Sequence, residues 1–315
     1  MPTTAVAHPN IALIKYWGKA QGERNLPATP SLSITLDTLA TRTCVQPAER
    51  DRVILDGEEV ADAKISACIA MLRKSYALPG IEVTTHNNFP TASGLASSAS
   101  GFAALVTAID HQFQLNMDAA IRSEFARRAS GSAARSIFGG FVTLAEPRWQ
   151  AEQLMHEQSW PLEVVVAITA TTRKEVSSSL GMRSSMESPF YSGWIDSTQR
   201  DYAHAIAATL ARDFERLAGL AEHSCLKMHG LMLATRPGLL YWNAATVACL
   251  HVIRELRASG AAVFFTVDAG PQVKAICAPG TAAQVAQALS AVPGVIETLI
   301  AGLGPGARVI SHSDV

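Results

Sequence analysis

A chain of 315 residues with 48% hydrophobic and 17% charged residues can bury a large core and has the balance of an ordinary globular protein. Its formal net charge of -1 excludes a global basic field that would recruit nucleic acid or an anionic membrane, so any anion site must be local. The cysteines Cys44, Cys68, Cys225, Cys249 and Cys277 are scattered with no CxxC pair. Together with the lack of a signal-peptide pattern and of a membrane-length apolar run, this reads as a soluble cytoplasmic protein without a disulfide frame.

The first apolar run, AVAHPNIALI, leads directly into Lys15, Tyr16, Trp17, Gly18 and Lys19. One reading is an edge strand whose lysines are solvated. The other is a small-polyanion site, with ammonium groups for charge and a phenol as donor. His8, a lone histidine, reads as structural. After the polar loop 21–30, SLSITLDTL alternates Leu32, Ile34 and Leu36 and predicts a strand. Further strands are expected at Thr41–Val45 and Arg52–Leu55, with a turn at Asp56-Gly57-Glu58. Ile65, Cys68, Ile69 and Leu72 predict a helix within 60–76 that carries Lys64 at its start, and Gly80–His86 reads as a strand.

Residues 89–101, FPTASGLASSASG, stand apart. Pro90 ends the extended run, small residues surround Leu95, and Phe102, Leu105, Val106 and Ile109 then take up helical spacing. A small-residue loop feeding a helix leaves backbone N–H groups at the positive end of the helix dipole, which suits nucleotide phosphates. The hydroxyls of Ser93, Ser97 and Ser98 add donors and can reach a phosphate-bound Mg²⁺. The same residues also fit a serine-capped helix after a flexible loop. The loop is neither a Walker A motif nor a GxGxxG.

A second helix is expected over 118–128, followed by ARRASGSAARSIFGGFV. There Ser130, Gly131, Ser132, Ala133 and Ala134 form a small-residue loop with Arg135 just inside it. Arginine's fork fits a carboxylate or phosphate, but it can equally satisfy a helix end or an acidic neighbour. Val164–Ile168 reads as a buried strand, and 197–258 as helical with breaks near Gly219 and at 236–238. His229 reads as a packing residue. The strand Ala261–Val267 ends in Asp268-Ala269-Gly270-Pro271, where an aspartate is a common turn starter. A helix at 281–291, a strand at Ile296–Ile300 and the loop Gly302–Gly306 complete the chain.

Four of these stretches resemble one family. PTASGLASSAS is similar to the phosphate loop of the GHMP kinase superfamily, PxxxGLGSSAA, and NNFPTASGLASSASG most resembles the diphosphomevalonate decarboxylases. NIALIKYWGK, SGSAARSIFGG and TVDAGPQVK resemble the same family's signatures, with Ala134 in place of cysteine and Gln272 in place of asparagine. The resemblance implies a two-lobed α+β GHMP kinase fold, with lobes over 1–170 and 171–315 and the active site in the cleft between them. It implies ATP-dependent decarboxylation of (R)-5-diphosphomevalonate to isopentenyl diphosphate, with ATP and Mg²⁺ and no metal-binding side-chain cluster. Family members are commonly homodimers.

By the same resemblance Asp268 is the catalytic base, Arg135 holds the substrate carboxylate, and Lys19 completes the catalytic set. Tyr16, Trp17, Gly18, Lys19 and Lys64 contact the substrate, as do Ser130, Gly131, Ser132, Ala133, Ala134, Arg135 and Ser179. Some bacterial relatives have arginine where this chain has Ser179. Pro90, Ser93, Gly94, Leu95, Ala96, Ser97 and Ser98 hold ATP. Three alternatives stay open at this point: a decarboxylase of 5-phosphomevalonate, a kinase that stops at 3-phosphorylation, and a binding protein that has lost catalysis.

Overall fold

A computed structural model describes residues 1–20, 25–89, 97–172 and 174–311. The chain opens with β1 (Thr3–Ala7), β2 (Asn10–Ile14), β3 (Ser31–Thr35), β4 (Thr41–Ala48), β5 (Arg52–Leu55) and β6 (Glu58–Glu59). Next come α1 (Ala63–Arg73), β7 (Gly80–Asn87), α2 (Ser97–Gln112), α3 (Ala119–Ala129) and a 3-10 helix over Gly131–Ile137. Strands β8 (Phe141–Leu144), β9 (Ala151–Met155) and β10 (Glu163–Ile168) precede the helices α4 (Ser178–Ser184), α5 (Tyr191–Leu210), α6 (Phe214–Leu233) and α7 (Ala244–Ala258). The last elements are β11 (Val263–Val267), β12 (Val273–Cys277), α8 (Ala282–Ser290), β13 (Glu297–Gly302) and β14 (Arg308–Ile310). This is the mixed helix-and-sheet class expected.

Local chemistry explains most of the boundaries. Asp62, Asp118 and Asp213 precede α1, α3 and α6, and each carboxylate accepts from N–H groups of the first turn. Asn243 and Thr246 form a capping box at the start of α7. The helical stretch does not break at Gly219, which lies inside α6; it breaks at 211–213. Arg212 adopts a left-handed φ of 54° there, and Asp213 caps the next helix. One glycine inside a helix costs only about 1 kcal/mol, less than tertiary packing supplies.

The described strands form three sheets, in the orders β14-β1-β4-β7-β5-β6, β2-β3-β8-β9 and β11-β12-β10-β13. Helix α2 lies on the first sheet, where Phe102, Leu105, Val106 and Ile109 meet Ala5, Val45, Ile81 and Val83 in one core. That packing fixes the direction of Ser97 at the helix start. A second core joins the other two sheets through Leu32 and Ile34 of β3, Val164 and Val166 of β10, and Leu217 and Ala221 of α6. Two strands cross the expected boundary at residue 170. Strand β10 precedes it, yet its partners are β12 and β13, while β14 returns to pair with β1. Among the described residues no helix is long and apolar enough to cross a membrane.

Candidate active site

Strand β2 carries a bulge between Ala12 and Ile14, immediately before Lys15. Bulges re-aim the chain that follows. Here the Lys15 N–H donates to Ser224 Oγ at 3.0 Å and the side chain turns inward, 1% exposed. Strand β11 reaches the same place from the other end of the chain, with Thr266 Oγ1 donating to Ala12 O at 3.3 Å. Two residues later Asp268 meets Lys15, Nζ to Oδ1 at 2.6 Å, and Lys274 of β12, Nζ to Oδ2 at 3.3 Å. Of the two readings of this stretch, the solvated lysine does not hold for Lys15.

Burial alone would raise the Asp268 pKa, but Lys15 and Lys274 outweigh it and hold the carboxyl far below the usual carboxylate range. The turn itself is pinned by Gln272, whose Oε1 accepts from Thr169 N and whose Nε2 donates to Ala170 O, both at 2.6 Å. An amide side chain does this work, so glutamine suffices where asparagine is usual.

Asp268 opens on a cavity of about 990 Å³. Its walls come from the end of β2, the start of α2, the 3-10 helix, α4 and the turn after β11. Arg135 lies on one wall, 2% exposed. Its Nε donates to Asn10 Oδ1 at 3.2 Å and Ser33 Oγ at 3.1 Å, and its Nη1 to Ser31 Oγ at 2.7 Å. Desolvation pushes its pKa down to about 10, so it stays cationic near neutrality. The Tyr16 ring lies 6.0 Å from the guanidinium carbon, and burial raises that phenol to about 12. Gly131 permits this stacking, because a Cβ there would come within 2.7 Å of Tyr16 Cε1.

Lys174 donates to Ala269 O at 2.9 Å and Ser178 Oγ at 2.7 Å, tying the segment before α4 to the residue after Asp268. Burial lowers its pKa to about 8, and the neighbouring Asp268 only partly opposes that. Lys19 and Lys64 line the same cavity, as do Ser130, Ser132, Ser179, Ser97 and Ser98. Desolvation, then the charges of Arg183 and Lys64, lowers the Lys19 pKa. Ser98 Oγ lies 3.3 Å from Ser130 Oγ, so the start of α2 and the 3-10 helix share one edge of the cavity.

Not every expected contact is on the wall. Ala133 and Ala134 are fully buried and fill the spaces behind the 3-10 helix, so their side chains do not reach the cavity. Gly18 sits at a turn with φ of 96°, and a Cβ there would lie 2.7 Å from Tyr191 Oη. Trp17 touches the cavity with one edge while its body packs with Met182, Trp194 and Met228. Its Nε1 donates to Ser185 Oγ at 3.0 Å. Pro90, Ser93, Gly94, Leu95 and Ala96 lie outside the described residues. His8 is structural, with Nδ1 2.8 Å from Leu39 O. His229 is buried against Trp242 off the cavity wall and is driven down to about 3 by desolvation, so it stays neutral.

Sequence reasoning missed Lys274, Lys174 and Arg183, along with the trio Asn10, Ser31 and Ser33 that holds Arg135. One signal was available. Ser31, Ser33 and Thr35 alternate with Leu32, Ile34 and Leu36, and a strand whose polar face is all hydroxyl and uncharged suggests a buried polar partner rather than water. Strand β3 is indeed buried at all five positions.

The arrangement gathers Lys15, Lys274, Lys174 and Arg135 around one carboxylate, a charge excess that an incoming polyanion would relieve. Among the described residues no group of three His, Cys, Asp or Glu could hold a metal ion. A family model described as the diphosphomevalonate decarboxylase-like N-terminal domain matches residues 7–156, and the mevalonate 5-diphosphate decarboxylase C-terminal domain matches 164–299. The human diphosphomevalonate decarboxylase is 34% identical over 324 residues, covering 91% of this chain and 79% of that protein. The Candida albicans enzyme of the same name is 33% identical over 310 residues, covering 86% and 83%. Among solved structures, MDDEF in complex with MVAPP, AMPPCP and magnesium superposes with a TM-score of 0.91 at 36% identity over 99% of each chain. The mevalonate diphosphate decarboxylase of Staphylococcus aureus gives 0.91 at 31% identity over 98% of each.

Proposed function

The chain belongs to the diphosphomevalonate decarboxylase family, and on that premise we propose how its residues divide the work. The reaction is the ATP-dependent decarboxylation of (R)-5-diphosphomevalonate to isopentenyl diphosphate, ADP, phosphate and CO₂. The observation that carries the assignment of roles is the Asp268 carboxylate, clamped by two buried lysines and facing the cavity that Arg135 also lines.

A tertiary hydroxyl is a poor leaving group and must first be phosphorylated. Asp268 accepts a hydrogen bond from that hydroxyl, aims its oxygen along the line of phosphoryl transfer, and takes the proton as the bond to phosphorus forms. A carboxylate held so far below its ordinary pKa is a weak base, so proton transfer comes late, once the attacking oxygen has become acidic. Lys15 and Lys274 keep the carboxylate charged and in one orientation. Arg135 has Nε and Nη1 committed to Asn10, Ser31 and Ser33, which leaves Nη2 for the substrate carboxylate. With that carboxylate fixed, loss of CO₂ and departure of the 3-phosphate proceed from one geometry. Tyr16, Lys19 and the hydroxyls of Ser130 and Ser132 orient the 5-diphosphate arm.

ATP and Mg²⁺ are the cofactors. The donor set suits a hard cation bound mainly through phosphate oxygens: Ser97 and Ser98 offer hydroxyls, whereas the Asp268 carboxylate is already taken by lysines. When bound, the ion neutralises triphosphate charge. The helix start at Ser97 and its neighbours would receive those phosphates.

We place the site between an N-terminal lobe carrying α2 and a C-terminal lobe carrying Asp268. The pairing of β10 with C-terminal strands supports a seam nearer residue 160 than 170. We also place the protein in the cytoplasm as a homodimer. The five free cysteines support the compartment, and family resemblance alone supports the dimer.

The direct test is nucleotide hydrolysis with and without the organic substrate. ADP release should require (R)-5-diphosphomevalonate, and equal release in its absence would remove the assignment.

A pH profile tests the place of Lys174. Its ammonium sits beside Asp268, where the transferred phosphoryl group must pass, and it is charged only below its pKa of about 8. The affinity for AMPPCP with magnesium, titrated without the organic substrate, should therefore show a descending limb as pH rises through about 8, because the free enzyme is then the species that titrates. Arg135 at about 10 and Tyr16 at about 12 titrate too high to produce this limb. In Lys174→Arg the limb should move upward by more than one pH unit; an unmoved limb would exclude Lys174 as its source.

A further inference from the structure

Four cations of the cavity stand outside the group around Asp268, and one of them, Arg128, lies over the Phe125 ring at 5.7 Å. The other three, Lys19, Lys64 and Arg183, line the cavity from the chain after β2, from the start of α1 and from α4. Among the described residues none of the three has a carboxylate partner. The carboxylates on the cavity wall among the described residues are Glu175 and Asp268, and Asp268 is taken by Lys15 and Lys274. Arg183 follows Ser179 by one helical turn, so the two side chains share the face of α4 that borders the cavity. The charges of Arg183 and Lys64 are both felt at Lys19, which places each of them within electrostatic reach of that ammonium. By contrast, the charges acting on Arg135 are those of Tyr16 and Asp268. Among the described residues the cavity thus has a cationic group around Asp268 and, adjoining it through Lys64, whose charge is also felt at Lys174, three cations that no ion pair neutralises.

Resting on the reading of the site as a diphosphomevalonate decarboxylase, we infer that Arg183 is a specificity-determining residue that binds the terminal phosphate of the substrate's 5-diphosphate arm together with Lys19 and Lys64. The chemistry fits the length of the ligand. The tertiary hydroxyl and carboxylate occupy Asp268 and Arg135, and the arm runs outward along Tyr16 and Lys19. A terminal phosphate carries more charge than a bridging one and presents two or three equivalent oxygens, which a guanidinium fork can take in a bidentate pair. Ser179 offers only a hydroxyl at the wall, and Arg183, one turn further along, brings the missing charge. A 5-monophosphate ends before the trio and gains little from it. Selectivity between the two mevalonate phosphates then resides in Arg183 and not in the group around Asp268 that performs the reaction.

The test is calorimetric binding of (R)-5-diphosphomevalonate, 5-phosphomevalonate and AMPPCP with magnesium to wild type, Arg183→Gln and Arg183→Lys. Loss of a charge-assisted bidentate contact should weaken the diphosphate by about ten- to a hundredfold in Arg183→Gln. The monophosphate and the nucleotide should change less than about twofold, which also shows that the variant is folded. Arg183→Lys should recover part of the loss, and Lys19→Ala should shift the preference in the same direction. Equal losses for both mevalonate phosphates, a loss confined to the nucleotide, or no loss at all would overturn the role of Arg183. A wild type that binds the monophosphate as tightly as the diphosphate would overturn the substrate reading itself. A wild type that prefers the diphosphate alongside an unchanged Arg183→Gln removes Arg183 alone.

Discussion

Asp268→Asn is expected to lower kcat by about 10³-fold or more while both substrates still bind. Asparagine has nearly the same shape and keeps one oxygen for Lys15, but it cannot take the hydroxyl proton. It also leaves Lys15 and Lys274 buried without their counter-charge, which can destabilise a protein by about 3–5 kcal/mol. The measurement therefore pairs kcat with the dissociation constant of (R)-5-diphosphomevalonate and with the thermal transition. A folded variant that binds substrate and has lost turnover supports the assigned role. A variant that retains more than about a tenth of wild-type kcat removes Asp268 from the chemistry.

Arg135→Lys is expected to cost about a hundredfold or more in kcat and to uncouple the two halves of the reaction. The lysine keeps the charge but has no fork. It cannot hold Asn10, Ser31 and Ser33, as the arginine does with Nε and Nη1, and still have a donor left for a carboxylate. Phosphorylation depends on Asp268 and should survive better than loss of CO₂. In a rapid-quench experiment ADP should appear ahead of CO₂, with a 3-phosphorylated species between them. Equal loss of both products would place Arg135 in general packing and not on the carboxylate.

The legibility of this chain follows the range of its interactions. Elements governed by local chemistry could be read directly. The Leu32, Ile34, Leu36 alternation gave a strand, Phe102 to Ile109 gave the helix after the small-residue loop, and Asp268-Ala269-Gly270-Pro271 gave a turn at a strand end. The roles expected of Arg135 and Asp268 came from the resemblance of their motifs to one family, because local chemistry alone left a capping arginine and a turn aspartate equally open.

What could not be read depends on partners far away in sequence. Lys15 sits in an apolar run and resembles an edge lysine until Asp268, 253 positions later, is brought to 2.6 Å. Lys274 is a polar residue in a strand that is buried along its whole length, and only the neighbouring turn gives its charge a purpose. Arg183 lies on a helix that the local pattern never announced. Gly219 misled for the opposite reason: a weak local signal was overridden by the packing of α6, and the break lies at Asp213, whose side chain caps that helix.

Coupling of phosphoryl transfer to decarboxylation of a mevalonate 5-diphosphate shows in the products of turnover. Wild-type protein is incubated with ATP, Mg²⁺ and, separately, (R)-5-diphosphomevalonate, 5-phosphomevalonate and mevalonate, and the products are identified by mass. The expected result is isopentenyl diphosphate, ADP, phosphate and CO₂ in equal amounts from the diphosphate, at a rate well above that with either of the others. Isopentenyl phosphate formed preferentially from the monophosphate, a stable 3-phosphate without CO₂, or no turnover of any of the three would contradict it.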